Sequence, residues 1–154
     1  MRLNSMLDST FFAGFRSNLT APTWSMTESC SGLFLNSASD NGALYFHTAD
    51  GDATSPRFQR QKIADIDMTR YLVFQIRNNA FRYYTLPVVV PYFDENVEEK
   101  LKDGLVKKWS PWYTNGNVMP ADQAHWIFFY IKNNIGMTRY LEINNIFYGE
   151  TYAD

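Results

Sequence analysis

The sequence predicts an all-β fold, an antiparallel β-sandwich of the jelly-roll type with at most one short helix, formed as a single domain over residues 1–154. Apolar and polar residues alternate, so that Leu72, Phe74 and Ile76 fall on one face of a strand and polar residues on the other. The phrase Ile-Asp-Met-Thr-Arg-Tyr-Leu at 66–72 returns as Ile-Gly-Met-Thr-Arg-Tyr-Leu at 135–141, so two strands begin alike. Aromatic residues make up 17% of the chain, which favours β-sheet.

Each predicted strand is a short run of β-branched and aromatic residues that ends at turn formers. Asn78 and Asn79 close one strand. Pro87 and Pro91 limit pairing in the next β-prone stretch, which should be an edge strand or break near Pro87. The strands are predicted near 10–16, 32–36, 42–48, 70–77, 81–90, 105–109, 125–132 and 139–148. Their inward side chains define the predicted core: Leu72, Phe74, Ile76, Ile127, Phe129, Ile131, Leu141 and Ile143.

One helix is predicted between Asp94, which can cap it, and Gly104, which can end it. Val97 and Leu101 are four residues apart and would share its apolar face. Four carboxylates stand in its first turns, and the helix dipole explains them better than a paired-acid site does. They are Asp94, Glu95, Glu98 and Glu99.

Charge and hydropathy exclude several classes of protein. The formal net charge is −2 with acids and bases interspersed, so no nucleic-acid partner is expected. The longest apolar runs are far shorter than a membrane span, and residues 1–8 lack the apolar centre of a secretory signal. Cys30 is the only cysteine, which excludes an internal disulfide, and we interpret it as a small semi-buried residue rather than a nucleophile.

The sequence offers no motif for catalysis, and we predict neither an enzyme nor a cofactor. It contains no nucleophile paired with a base, no His/Cys metal spacing and no glycine-rich phosphate loop. His47 alternates with Leu44 and Phe46 and is predicted to lie on the surface. Asp50 and Asp52 could help to hold calcium in the loop 48–56, although a solvated turn explains them more simply.

Aromatic residues in polar surroundings are the candidate binding residues. In the segment 109–117, Trp109 comes soon after Leu105 and Val106 and is predicted to be core, whereas Trp112 and Tyr113 stand beside Pro and turn residues and are predicted to be exposed. Rings out of phase with the core should partly face outward: Tyr71, Tyr83, Trp112, Tyr113, Tyr130 and Tyr140, with Arg70, Arg77 or Arg139 at their rim. The candidate set for ligand or partner binding is Trp112, Tyr113, Tyr83, Tyr84, Tyr130 and Tyr140.

The order of these segments resembles the galactose-binding-domain-like jelly roll of many carbohydrate-binding modules. That family has a strand entry like Asp-x-Ser/Thr-x-Tyr-x-x-Leu and a last strand reading Leu-x-Ile-Asp-x-Ile-x-Phe. Here Tyr71 directly precedes Leu72, and Asn144 stands where Asp is common. The resemblance implies a β-sandwich that can serve sugar binding, adhesion or virion decoration. It rests on residues 42–46, 67–76, 125–131 and 141–149.

Two functions are therefore expected, and both are non-catalytic. The first is a structural component of a viral particle, such as a phage capsid decoration (cement) protein or fibre protein. It would be made in the host cytoplasm, located in the virion, and bound to copies of itself or to a capsid or tail protein. The alternative is a carbohydrate-binding module that stacks sugars on exposed rings, for which Trp112 is the strongest candidate.

Overall fold

The computed structural model describes residues 1–3, 9–23, 25–36, 44–52, 54–55, 57–63, 72–85, 109–120, 123–133, 141–143 and 146. Within these ranges the chain is all-β and contains no helix, which confirms the predicted fold class. The strands are β1 (Arg2–Leu3), β2 (Ser9–Arg16), β3 (Cys30–Asn36), β4 (Leu44–Ala49), β5 (Phe58–Ile63), β6 (Leu72–Arg77), β7 (Ala80–Thr85), β8 (Tyr113–Thr114), β9 (Trp126–Asn133) and β10 (Leu141–Glu142).

Two antiparallel sheets form the β-sandwich. The larger has five strands in the order β5-β4-β3-β2-β9, and the smaller has three in the order β6-β7-β8. A short pair of β1 and β10 is joined to β6, because the Met1 ammonium donates to Leu72 O at 3.0 Å and Leu72 N donates to Met1 O at 2.8 Å. The larger and the smaller sheet each have an inner face toward the other sheet and an outer face away from it.

The main core lies between the two inner faces. Phe46 of β4 and Phe81 of β7 stack across the sandwich with their ring centroids 5.4 Å apart, and both side chains are fully buried. Phe11, Leu33 and Leu35 extend this core along the larger sheet. Asn115 joins the sheets at one end, because its Nδ2 donates to Phe46 O at 3.0 Å. Burial of these large side chains supplies the main hydrophobic stabilisation of the fold.

A second cluster covers the outer face of the larger sheet. Phe12, Cys30, Phe34 and Ala49 pack there against Met26, which belongs to the segment between β2 and β3. Both faces of the central strands are therefore buried. This explains why β2 reads as a nearly continuous apolar run instead of an alternating one.

Gly14 and Gly32 are paired opposite each other near the centre of that outer face. A Cβ atom on Gly14 would overlap the carbonyl oxygen of Ser31 in the neighbouring strand, and a Cβ atom on Gly32 would come within 2.6 Å of the Phe12 ring. The missing side chains thus let the Phe12 ring fold over the strand and allow a close approach of the two backbones.

Six of the eight predicted core residues pack in the core: Leu72 is buried, and Phe74, Ile76, Phe129, Ile131 and Leu141 contact the core cluster while partly buried. The prediction is wrong for Ile127 and Ile143, whose exposed fractions are 45% and 39%. Ile127 stands near the start of β9 at the edge of the sheet, opposite Phe15 and beyond the main core.

Two further predictions are wrong, and several others lie outside the described residues. His47 is fully buried instead of exposed, because the segment between β2 and β3 covers the face on which it stands. Trp109 is half-buried on the outer side of the smaller sheet and is not a core residue. The polar strand β5 was not predicted. The helix 94–104 and most of the strand 105–109 lie outside the described residues, as do Tyr71, Tyr140, Arg70 and Arg139.

Candidate interaction surface

The outer face of the smaller sheet carries a cluster that we call the tryptophan–arginine surface, formed by Gln75, Arg82, Tyr84, Trp109 and Trp112. Strand alternation places it there: Phe81 and Tyr83 of β7 point into the core, so Arg82 and Tyr84 point outward. Gln75 stands opposite Arg82 on β6. The two indoles come from the segment just before β8.

The guanidinium group of Arg82 lies between the two indole rings. Its Cζ atom is 4.3 Å from the ring centroid of Trp109 and 4.6 Å from that of Trp112. Its Nε donates a hydrogen bond to Gln75 Oε1 at 2.6 Å, which fixes the orientation of the group. Tyr84 packs edge-on against Trp109 with centroids 4.6 Å apart. Cation–π attraction to the two rings and the hydrogen bond to Gln75 therefore help to hold the arginine in place.

Ser110 attaches the indole-bearing segment to β7. Its backbone N donates to Tyr83 O at 2.7 Å, and its Oγ accepts from Tyr83 N at 3.0 Å. Pro111 follows with its own φ restricted, which stiffens the connection between the two tryptophans. The surface is thus built on a strand and a clipped segment rather than on a free loop.

The tryptophan–arginine surface is partly open to solvent. Trp112 has an exposed fraction of 36%, Trp109 and Arg82 are half-buried, and Tyr84 is buried. Tryptophan, tyrosine and arginine are the residue types that dominate binding energy at protein interfaces. Since the rings and the guanidinium are already held in one arrangement, binding of a partner would cost these side chains little conformational entropy.

The structure separates the predicted binding residues. Trp112 and Tyr84 meet at the tryptophan–arginine surface. Tyr83 and Tyr113, predicted to face outward, instead stack on each other at 6.2 Å and pack against the main core, because strand alternation turns them inward. Tyr130 lies on the outer face of the other sheet, stacked on Phe128 at 6.3 Å. These residues therefore do not form one surface.

Sequence reasoning missed Arg82, Gln75 and Trp109 as members of this surface. The alternation of β7 was a usable signal, because Arg82 and Tyr84 are two residues apart and must share a face. The position of Trp109 depends on how the segment before β8 crosses the sheet, and no local pattern specifies that crossing.

A buried polar cluster lies beneath the segment between β2 and β3. The Arg16 guanidinium is 5.0 Å from the Phe128 ring centroid, forms an ion pair with Glu28 and donates to Thr20 O. Its side chain is fully buried. An arginine in this position is paired, stacked and enclosed, so it anchors the covering segment and is not available to a ligand.

His47 belongs to the same covered face. Its Nε2 donates to Met26 O at 3.0 Å, and its ring stacks on Phe58 at 5.2 Å. Burial lowers the pKa of His47 from 6.5 to about 4, so the ring is neutral at physiological pH. Its Nδ1 has no hydrogen-bond partner among the described residues.

Two nucleophilic side chains lie close to this face, and both are fully buried. Ser29 Oγ is 2.6 Å from His125 Nε2. Burial lowers the pKa of His125. Burial also raises the pKa of the Cys30 thiol to about 12, which leaves it protonated and unreactive.

The calcium candidates Asp50 and Asp52 form an ordinary turn, beside an open depression that Pro120 also lines. Asp52 Oδ1 accepts hydrogen bonds from Thr54 N and Thr54 Oγ1, both at 2.8 Å, and the pKa of Asp52 is lowered for that reason. Asp50 Oδ2 lies 3.5 Å from Arg57 Nη2. Within the described residues no three His, Cys, Asp or Glu side chains are grouped as metal ligands.

No helix among the described residues is long and apolar enough to span a membrane. No protein-family model matches the chain, and no curated protein or solved structure shows significant similarity to it.

Proposed function

We propose that this protein is a non-catalytic interaction module that binds a protein partner through the tryptophan–arginine surface. The observation that carries the proposal is the Arg82 guanidinium held between Trp109 and Trp112 on a solvent-facing side of the smaller sheet. Residues of these types, pre-arranged and partly exposed, are what protein interfaces use as anchors. Within this class we propose a structural component of a viral particle, such as a capsid decoration or fibre protein.

The arrangement of the polar groups favours binding over catalysis. Ser29, Cys30 and His47 are buried, and the bonds of Ser29 to His125 and of His47 to Met26 O tie the covering segment to the larger sheet. Among the described residues, the polar groups of the tryptophan–arginine surface are a guanidinium, an amide and the Tyr84 hydroxyl, whose pKa is raised by burial. Such a set of groups suits the orientation of a partner better than the transfer of protons near neutral pH.

The test measures association with particles when the surface is changed. Purified wild-type protein and Trp112→Ala are incubated with sedimenting particle fractions from the native source, cross-linked and quantified by mass spectrometry. We expect the variant to bind about thirtyfold more weakly, as truncation of a strong interface anchor does. Val118→Ala, at another exposed apolar position, is the control and should bind like the wild type. Wild-type protein that joins no particle, or equal binding by both variants, would contradict the proposal.

A glycan is the second candidate ligand, favoured by the open part of the Trp112 ring beside Arg82 and Gln75. Indole faces stack on pyranose rings, and guanidinium and amide groups bond to hydroxyls. One face of Trp112 is already covered by Arg82, so a sugar would have to use the remaining face. A glycan array at millimolar ligand separates the two: binding that Trp112→Ala abolishes, with an unchanged far-ultraviolet circular dichroism spectrum, would favour the sugar.

A further inference from the structure

Strand β9 forms one edge of the larger sheet and lacks the features that keep edge strands apart. It pairs with β2 along all of Trp126–Asn133, and the described part of the chain places no strand on its other side. Its sequence, WIFFYIKN, has no proline and no acidic residue, and its one charge is Lys132. Long apolar edge strands of this kind pair readily with another strand.

The opposite edge of the same sheet provides an internal comparison. Strand β5 reads FQRQKI, so charged and polar side chains occupy its centre. This composition is typical of an edge that faces water. The two edges of the larger sheet therefore differ in composition, and of the two β9 has the apolar composition that favours pairing with another strand.

Exposed apolar side chains mark the same edge. Trp126 and Ile127 have exposed fractions of 51% and 45%, and they stand on opposite faces of β9. Lys132 is exposed near the other end of the strand. Apolar side chains on both faces of the larger sheet are therefore exposed at this edge.

We propose that a second copy of this chain pairs with β9 in an antiparallel manner, so that two five-stranded sheets merge into one ten-stranded sheet. A two-fold axis perpendicular to the sheet makes such an interface self-complementary and keeps both outer faces on one side. Opposed residues must then lie on the same face, which restricts the possible registers.

The side chains of β9 favour the register centred on Phe129. It opposes Trp126 to Lys132, Ile127 to Ile131 and Phe128 to Tyr130. These contacts are a cation near an indole, an aliphatic pair and an aromatic pair, and each occurs twice. Centring on Tyr130 would instead oppose Phe128 to Lys132 and leave Trp126 without a partner. The strand thus carries a sequence that complements itself in one register.

The experiment exchanges charge across the proposed pair of Trp126 and Lys132. Trp126→Lys sets two lysines opposite each other, whereas the double variant Trp126→Lys with Lys132→Glu sets up an ion pair. Both sites are exposed, so the fold should be retained. Sedimentation equilibrium should show a wild-type dimer, a dissociation constant about ten- to thirtyfold higher for Trp126→Lys, and recovery to within about threefold in the double variant.

Val118→Lys serves as the control, because it changes an exposed apolar residue outside β9 and should leave dimerisation unchanged. The interface at β9 is separate from the tryptophan–arginine surface, so failure of one proposal is distinguishable from failure of the other. A wild-type protein that stays monomeric at high micromolar concentration would overturn the inference. So would a dimer that Trp126→Lys leaves intact, or one that the double variant fails to restore.

Discussion

Acidification should destabilise this protein because of His47. The ring is fully buried, its Nε2 donates to Met26 O, and Nδ1 has no hydrogen-bond partner among the described residues. A proton can be added only at Nδ1, which would create an unpaired buried cation beside Arg16 and Arg60, with Glu28 as the opposing charge. The folded state therefore resists protonation, whereas the unfolded chain does not.

The magnitude follows from the difference between the two pKa values. The pKa of His47 is about 4 in the folded protein and has an ordinary value of 6.5. Between these values the unfolded state binds more protons, so the free energy of unfolding falls as pH falls. The full stability is present above pH 6.5. The loss from this residue is about 2 kcal/mol at pH 5 and about 3 kcal/mol at pH 4.

Urea unfolding at several pH values provides the assay. His47→Gln keeps a donor for Met26 O but does not titrate, so its free energy of unfolding should change about 2 kcal/mol less than that of the wild type between pH 7.5 and pH 5. The lowered pKa of His125 acts in the same direction in both proteins and cancels in the comparison. If the two proteins show the same pH dependence across this window, His47 is solvated or paired and the reasoning fails.

Two further predictions concern the covered face of the larger sheet. Gly14→Ala should lower the free energy of unfolding by about 3 kcal/mol, because the added Cβ would overlap a backbone oxygen of the neighbouring strand. Gly116→Ala is the control: its Cβ would meet only the end of a flexible side chain at 3.3 Å, so the free energy of unfolding should change by less than about 0.5 kcal/mol. Equal melting temperatures for the two variants would show that β2 and β3 can move apart at Gly14 without a loss of stability. Glu28→Gln should cost about 3 kcal/mol by leaving the buried Arg16 guanidinium without its counter-charge, while Arg16→Met combined with Glu28→Gln should stay within about 1 kcal/mol of the wild type. Denaturant unfolding of the three proteins tests this, and a Glu28→Gln variant as stable as the wild type would show that solvent reaches Arg16.

Local sequence pattern was sufficient where a strand has one buried face and a defined turn. The alternation of β6 assigned Leu72, Phe74 and Ile76 to the core side correctly. The turn after it was also correct, since Asn78 adopts a φ of 46° and leads directly into β7. Asparagine tolerates this left-handed conformation better than most residues, so the signal had a direct physical cause.

The pattern failed where tertiary packing covers a second face. His47 alternates with apolar neighbours, which normally indicates an exposed residue, yet the segment carrying Met26 lies over it. Strand β5 was missed for a related reason, because its polar side chains suit a strand at the edge of a sheet but resemble a loop in isolation. Which segment covers which face depends on contacts that are distant in sequence.

The candidate site shows the same limit. Tyr83 and Tyr84 were both named as binding residues, although adjacent residues in a strand point to opposite faces. The sequence alone shows that the two side chains point to opposite faces, but it does not show which of them points to the core. The structure decides it, because Tyr83 packs beside Phe81 at 5.8 Å and Tyr84 contacts Trp109 instead.

The two sheets differ in how far their outer faces are covered by other parts of the chain, and this affects how such a module would bind a partner. The outer face of the larger sheet is largely occupied by the segment between β2 and β3, which is fixed there by Arg16 and His47. Among the described residues the exposed tryptophans are Trp112, on the outer face of the smaller sheet, and Trp126, at the edge strand β9. They lie on different sheets and do not compete for the same surface. A module that pairs with its own copy at β9 could therefore still present two copies of the tryptophan–arginine surface to a partner. Such a dimer would bind a repetitive surface more tightly than a single copy, because the second contact forms at a high effective concentration.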